Sequence, residues 1–279
     1  MSLIESFLLG LLQGITEFLP ISSSGHIVIA QALFGELPYG ITFELVLHFG
    51  TLGSIVVYFY NDIVDMIKSA WSMILSPVQS YQNWDDDYST RLNVYILVSM
   101  IPAGIAGFTI RHQIEEVFAN PVGISLMFLV TGTFLFFTKF FGYGKKTLNM
   151  KNIFLIGLAQ AFSLLPGISR SGATISMAVF LKINREDIAR FTFLMMLPVI
   201  FGAMLVEVLE TSRVGISEDL ALQYAIGFIT ALVSGYYALK YLIELFKSKG
   251  IHYFAYYCWL IGGLGIIYFG FILGEASPQ

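Results

Sequence analysis

Residues 152–181 read NIFLIGLAQAFSLLPGISRSGATISMAVFL, an apolar stretch cut in its middle by Pro166-Gly167 and then by Ser169-Arg170-Ser171-Gly172. Proline removes a backbone donor and glycine loosens the helix, so two half-helices are expected here in place of one span. A break at membrane depth is tolerated only where it is buried in protein or lines a wet cavity. Residues 3–34, LIESFLLGLLQGITEFLPISSSGHIVIAQALF, have the same design, broken by Pro20 and by Ser22-Ser23-Ser24-Gly25. These two interrupted stretches decide the fold.

The rest of the chain supplies the setting. Of 279 residues, 56% are hydrophobic and 12% charged, with a mean hydropathy of +0.75. A typical soluble domain carries about 25% charge, and a soluble surface is hard to build from this composition. Glu44 to Tyr60, Leu92 to Ile110, Val122 to Thr138, Phe191 to Leu209, Leu220 to Leu239 and Tyr253 to Leu273 each read as a membrane span. Each is nearly uncharged and long enough for a hydrocarbon core of about 30 Å. Asp62 to Ser76 is amphipathic and expected at the interface, and Gln79 to Ser89 is expected to be a polar loop. A net charge of −4 argues against a nucleic-acid partner. The single cysteine, Cys258, excludes an intramolecular disulfide and is expected only to pack. The N-terminus lacks a basic region and carries Glu5, so it does not read as a cleavable signal.

Lys139, Lys145, Lys146 and Lys151 cluster in one loop, and Lys240, Lys247 and Lys249 in another. Both loops should be cytoplasmic. The second broken stretch, with Lys151 before it and Lys182, Arg185 and Arg190 after it, then enters from the cytoplasm and returns there. Counting back through the spans puts both ends of the first on the outside, where its flanks hold Glu5, Glu36 and Glu44. Arg111 falls in an outside loop and runs against this count. At an offset of 147, Gln13 aligns with Gln160 and Ile21–Gly25 with Ile168–Gly172. The expected fold is therefore an all-α integral membrane protein with an inverted-topology repeat. Residues 1–279 form one membrane domain, with a first repeat over 1–138 and a second, inverted one over 152–279. Each half is a re-entrant broken hairpin plus about three transmembrane helices, and such repeats place a site near the midplane.

The chemistry gathers at the breaks. Gln13 and Glu17 are four apart and share a helix face. A carboxylate in a membrane segment is expensive and has a partner or a function. Glu17 can hold a divalent cation, act as a general base, or pair with Arg170 to join two helices. Gln13 can assist but cannot be a base. Ser22, Ser23, Ser24 and Gly25 offer hydroxyls and amides at a half-helix start, which suits an anion; they also serve as plain helix caps. His26 can transfer protons near neutral pH. Arg170 is the one charged residue between Lys151 and Lys182 and requires an anion. Its planar fork suits phosphate or carboxylate. With Gly167, Ser169, Ser171, Gly172 and Thr174 around it, the second break reads as a phosphate cradle. Glu44 and His48, also four apart, are either a support to this site, part of a metal site, or an interfacial pair. No P-loop, dinucleotide fingerprint, CxxC or HExxH pattern is present.

The two motifs resemble those of the bacterial undecaprenyl-pyrophosphate phosphatases, the bacitracin-resistance family. Its (E/Q)xxxE motif running into FLP-x-SS-x-GH is matched by Gln13, Glu17 and Phe18 through His26. Its PGxSRSxxT motif is matched by Pro166, Gly167, Ser169, Arg170, Ser171 and Thr174. The resemblance implies hydrolysis of a C55 isoprenoid pyrophosphate to the monophosphate carrier of peptidoglycan synthesis. It also implies a divalent cation, Mg²⁺ or Ca²⁺, and a plasma-membrane site open to the outer face. Bacitracin would compete for the lipid, and a homodimer is compatible with it. By motif match, Glu17, Ser23, His26 and Arg170 are the catalytic carry-overs. Ser22, Ser24, Gly25, Gly167, Ser169, Ser171, Gly172, Thr174, His48 and Gln13 would bind substrate, with Glu17 and Gln13 holding the metal. Gln13 stands where some members have glutamate, which weakens any mechanism needing two carboxylates there. Attack by Ser23 and attack by metal-activated water both remain open. The alternative from another class is a polyprenyl-phosphate flippase or transporter using the same anion site.

Overall fold

Ser2 begins the fold with a capping box. Its hydroxyl accepts from the Glu5 amide at 3.1 Å, and the Glu5 carboxylate accepts from the Ser2 amide at 2.7 Å. Helix α1, Leu3–Phe18, follows and stops where Pro20 forbids another turn. Helix α2, Ser23–Phe34, runs back. The structure, a computed structural model, describes residues 2–34, 41–109, 120–210, 220–248 and 250–272. Next come α3, Ile41–Tyr58, and α4, Tyr60–Leu75, bent by 86° at Phe59. Exposed Ile67, Trp71, Ile74 and Leu75 on α4 suit a helix lying along a membrane surface. Helix α5, Pro77–Gln82, uses its proline at the first turn. Helices α6, Tyr88–Thr109, and α7, Pro121–Phe141, cross the bilayer.

The second hairpin is α8, Met150–Phe162, and α9, Arg170–Phe180. Helices α10, Arg185–Leu194, and α11, Met196–Glu210, form one interrupted span. Helices α12, Ala221–Ser248, and α13, Tyr253–Gly265, complete the bundle, and α13 runs on into a π-helical segment, Ile266–Ile272. Among the described residues there is no strand, and five helices, or six with the bent α3–α4 pair, can cross a membrane. The chain is an all-helical, multi-pass membrane protein.

The expected spans and both broken hairpins are present, with three adjustments. The stretch from Gln79 to Ser89 is not wholly loop. Pro77 starts a helix that takes in Gln79, and Asp87 caps α6 by accepting from the Thr90 amide and hydroxyl at 3.1 and 2.5 Å. The span expected from Phe191 begins earlier, because Asn184 caps α10 by accepting from the Asp187 amide at 2.9 Å. It breaks at Met195, just ahead of Pro198. Glu36, Arg111 and the expected end of the last span at Leu273 lie outside the described residues.

Small residues set the packing, as they must where the surrounding lipid offers no hydrophobic drive between helices. Gly10 and Gly14 form a GxxxG face on α1. A Cβ on Gly14 would overlap Ser234 Oγ and lie 2.6 Å from the Ala231 carbonyl, so α1 presses directly on the α12 backbone. Gly50 of α3 meets the Phe228 carbonyl in the same way, and α1, α3 and α12 run parallel. On the other side, Gly132 of α7 packs on Ala255 and Trp259 of α13, and Gly262 on Ser125, an antiparallel pair. Gly157 of α8 touches Ser99 of α6. Each hairpin is thus clamped to a long helix remote in sequence. The Phe18, Phe59, Phe193 and Phe246 rings pack together, Phe193 lying 6.2–6.4 Å from each of the other three.

Candidate active site

The two breaks meet at the centre of the bundle. In the first, Ile21 N–H donates to the Leu19 carbonyl at 2.7 Å, a tight turn around Pro20. Ser22 then takes a left-handed φ of 67°. In the second, Ile168 N–H donates to the Leu165 carbonyl at 3.1 Å, and Gly167 has φ 88°. Proline followed by a positive-φ glycine is the pattern of a type II turn. The turns touch each other. The Ser171 hydroxyl donates to the Leu19 carbonyl at 3.4 Å, and a Cβ on Gly25 would come within 3.0 Å of Gly167 Cα.

The half-helix starts share their detail. The Ser22 hydroxyl accepts from the Gly25 amide at 3.3 Å, and the Ser169 hydroxyl from the Gly172 amide at 3.1 Å. Ser22 and Ser24 hydroxyls lie 3.4 Å apart, and those of Ser169 and Ser171 3.2 Å. At the offset of 147, Ser23 and Arg170 therefore occupy the same place, each the first residue of its half-helix. The backbone leading in differs, since Ser169 has φ −70° where Ser22 is left-handed.

From these starts the two side chains converge on Glu17. The Ser23 hydroxyl donates to Glu17 Oε2 at 2.6 Å, and Arg170 Nη1 lies 3.8 Å from Glu17 Oε1. Gln13 Nε2 donates to Glu17 Oε2 at 3.1 Å, one turn earlier on α1. It also lies 3.2 Å from His48 Nδ1, which is 4.0 Å from Glu17 Oε2. Five residues from α1, α2, α3 and α9 so form one cluster, with the Glu17 side chain 5% exposed. Arg170 Nε and Nη1 and Gln13 Oε1 are buried without hydrogen-bond partners. Orphaned donors on a buried guanidinium mark a place for an anion, since each unsatisfied group costs about 1–3 kcal/mol or more. The first amides of α9 precede its helical ladder and face the same need.

His26 does not join this cluster. Its Nδ1 lies 2.6 Å from the Ser22 carbonyl and its Nε2 2.7 Å from the Tyr257 hydroxyl. Thr174 turns back, donating to the Arg170 carbonyl at 2.9 Å. His48, by contrast, turns into the cluster. Two contributors had no signal in the sequence. Thr131, in the middle of an apolar span, donates to the Gly167 carbonyl at 2.9 Å and accepts from the Ser169 amide at 3.1 Å, holding the second turn in shape. Tyr257, one of a run of aromatics on α13, meets His26.

A hydroxyl on a buried carboxylate, beside an arginine with unused donors, defines a membrane-embedded site suited to a phosphorylated ligand. The bacitracin resistance protein BacA family matches residues 6–264, and the chain belongs to that family. Among its relatives, the undecaprenyl-diphosphatase of Salinibacter ruber is 38% identical over 264 residues, covering 94% of this chain and 97% of the relative. Undecaprenyl-diphosphatases of Methanobrevibacter smithii and Halothermothrix orenii are 35% and 37% identical, covering 94% and 97% of this chain and 96% and 99% of their own lengths.

Proposed function

We infer that this protein is an undecaprenyl-pyrophosphate phosphatase, an acid anhydride hydrolase that converts the C55 pyrophosphate to the monophosphate and inorganic phosphate. The observation that carries the chemistry is the 2.6 Å contact from the Ser23 hydroxyl to Glu17, with Arg170 on the other carboxylate oxygen. Glu17 takes the Ser23 proton as Oγ forms a bond to the terminal phosphorus. The bridging P–O bond breaks and the lipid monophosphate leaves. Water then attacks the phosphoserine, releasing inorganic phosphate and restoring Ser23. Arg170, with the amides at the start of α9, holds the charge that builds on the phosphoryl oxygens.

The donor set fits a hard divalent cation, Mg²⁺ or Ca²⁺. Glu17 and the unpartnered Gln13 Oε1 are oxygen ligands, and Mg²⁺ is commonly held by one or two such groups together with substrate phosphates. When bound, the cation supplies neutralisation of charge on the leaving oxygen. Direct attack by water on the terminal phosphorus, with Ser23 only binding, is the rival route.

The local match between the breaks, and the clamping of α1 on α12 and of α8 on α6, support an inverted repeat of 1–138 and 152–279. The first lysine-rich loop and the basic flank of the second hairpin lie at one end of the bundle, where Lys146 N–H donates to the Lys182 carbonyl at 3.1 Å and Lys139, Arg185 and His252 line one cavity. The positive-inside rule makes that end cytoplasmic in the plasma membrane. The first hairpin then opens outward, and bacitracin competes for the lipid from that side. The protein can act as a homodimer or alone. A flippase would need the anion site but has no use for a serine proton held on a carboxylate.

The test is phosphate release from a long-chain prenyl pyrophosphate in detergent, with and without Mg²⁺ or Ca²⁺. Cation-dependent release that collapses in Arg170→Ala and Glu17→Ala supports the reading. A folded wild type that binds the lipid and releases nothing moves the assignment to a carrier.

A further inference from the structure

We propose that Tyr257 is a positioning residue of this site, fixing which nitrogen of His26 carries the proton. The inference rests on the phosphatase reading for its kinetic consequence, but its structural part stands alone. A carbonyl oxygen only accepts, so the 2.6 Å contact between His26 Nδ1 and the Ser22 carbonyl is a hydrogen bond only while the proton sits on Nδ1. In the neutral ring Nε2 is then the lone pair, and at 2.7 Å it accepts from the Tyr257 hydroxyl.

Two contacts hold the ring in this register. Its plane stacks on Tyr257, with centroids 5.7 Å apart and 12° between planes. Its edge meets Phe128 of α7 at 5.1 Å, nearly perpendicular. Helix α13 is itself tied to the first break, where Cys258 Sγ lies 3.7 Å from the Pro20 carbonyl. Among the described residues no carboxylate, lysine or arginine contacts the ring; the groups facing it are Ser22 on its own hairpin, Phe128 on α7 and Tyr257 on α13.

His26 is therefore not the base that serves Ser23, whose hydroxyl is already on Glu17. Its exchangeable nitrogen faces the Tyr257 phenol, and the Nδ1–H bond braces the left-handed Ser22 from which the nucleophilic helix starts. When His26 is protonated, Nε2–H donates to the phenol oxygen, and the phenol proton turns outward to a new acceptor. Tyr257 thus acts through His26, with no contact of its own to Glu17 or Arg170.

The experiment uses the full chain in detergent, with histidine labelled at both ring nitrogens. The sequence holds four histidines, and His26→Asn identifies the His26 signals. Wild type is expected to show a single Nδ1–H form for His26, and Tyr257→Phe, which keeps the aromatic stack, a mixture of the two tautomers. Turnover of the prenyl pyrophosphate should fall about three- to tenfold in Tyr257→Phe with KM unchanged, the effect of one lost hydrogen bond. Tyr256→Phe, beside it on α13, should change neither readout. An unaltered nitrogen spectrum in Tyr257→Phe overturns the proposal, as does turnover within roughly twofold of wild type. A wild type that releases no phosphate overturns the phosphatase reading instead, and the tautomer measurement still decides the role of Tyr257.

Discussion

The Ser23 hydroxyl donates to Glu17 Oε2 at 2.6 Å across the break between α1 and α2. The contact exists because Pro20 ends α1 one turn after Gln13 and Glu17 have faced inward, and because left-handed Ser22 swings the next residue back over the helix it has just left. Ser23→Ala should lower turnover by roughly 10⁴-fold or more, as for loss of a nucleophile. Glu17→Gln should lower it by about 10²–10⁴-fold, as for loss of a base. Rapid-quench trapping should find phosphoenzyme in wild type and none in Ser23→Ala. Normal turnover by Ser23→Ala would sink the serine mechanism in favour of attack by water.

Arg170 should not tolerate lysine. Arg170→Lys keeps the charge near Glu17 but loses the fork whose Nε and Nη1 have no hydrogen-bond partner among the described residues. The expected loss is about 10²-fold in kcat/KM, comparable to removing one transition-state donor. Steady-state kinetics would show it mainly in kcat, and a change confined to KM would mean that Arg170 only captures substrate.

Thr131 should matter although it touches no substrate. Thr131→Val is nearly isosteric and leaves the Gly167 carbonyl and the Ser169 amide without the partner seen at 2.9 and 3.1 Å. The expected cost is about 2 kcal/mol of stability, measured as a fall in the detergent unfolding midpoint, with a matching loss of activity as the phosphate turn loosens.

Gly14 is a packing test of the same site. A Cβ there would overlap Ser234 Oγ and the Ala231 carbonyl, so Gly14→Ala pushes α1 off α12. Overpacking of this kind costs about 1–3 kcal/mol. Because α1 carries Glu17, activity should fall along with thermal stability. An enzyme of unchanged stability and rate would show that α1 is free to shift.

Asp87 offers a pH test away from the membrane core. Burial pushes its carboxyl up, but hydrogen bonds from the Thr90 hydroxyl and amide, with Arg91 nearby, outweigh this and hold it below its ordinary value. A depressed carboxyl contributes stability above its unfolded pKa and loses it as the pH falls through the folded value. Asp87→Ala should therefore cost about 1 kcal/mol of cap energy at neutral pH. The gap in unfolding midpoint between variant and wild type should narrow below the ordinary carboxylate range. A gap that stays constant into acid would assign the effect to packing.

Local chemistry made much of this protein legible. Clustered proline, glycine and serine dictate a break in an apolar helix, and a charge in hydrocarbon demands a partner, so the hairpins and the meeting of Glu17 with Arg170 follow from residue type and spacing. The offset of 147 also pairs Ser23 with Arg170. Boundaries were less legible where a cap competes with composition, as at Asp87 and Asn184, because a polar residue beginning a helix reads the same as one in a loop. Tertiary structure alone decided the rest. Whether His26 or His48 reaches Glu17 depends on how α2 rotates and how α3 lies against α1, and the Gly50 and Gly10 contacts with α12 set that. Thr131 and Tyr257 sit in apolar runs whose pattern marks only a span. Their partners lie 36 and 231 residues away, and only folding brings such groups within the reach of a hydrogen bond.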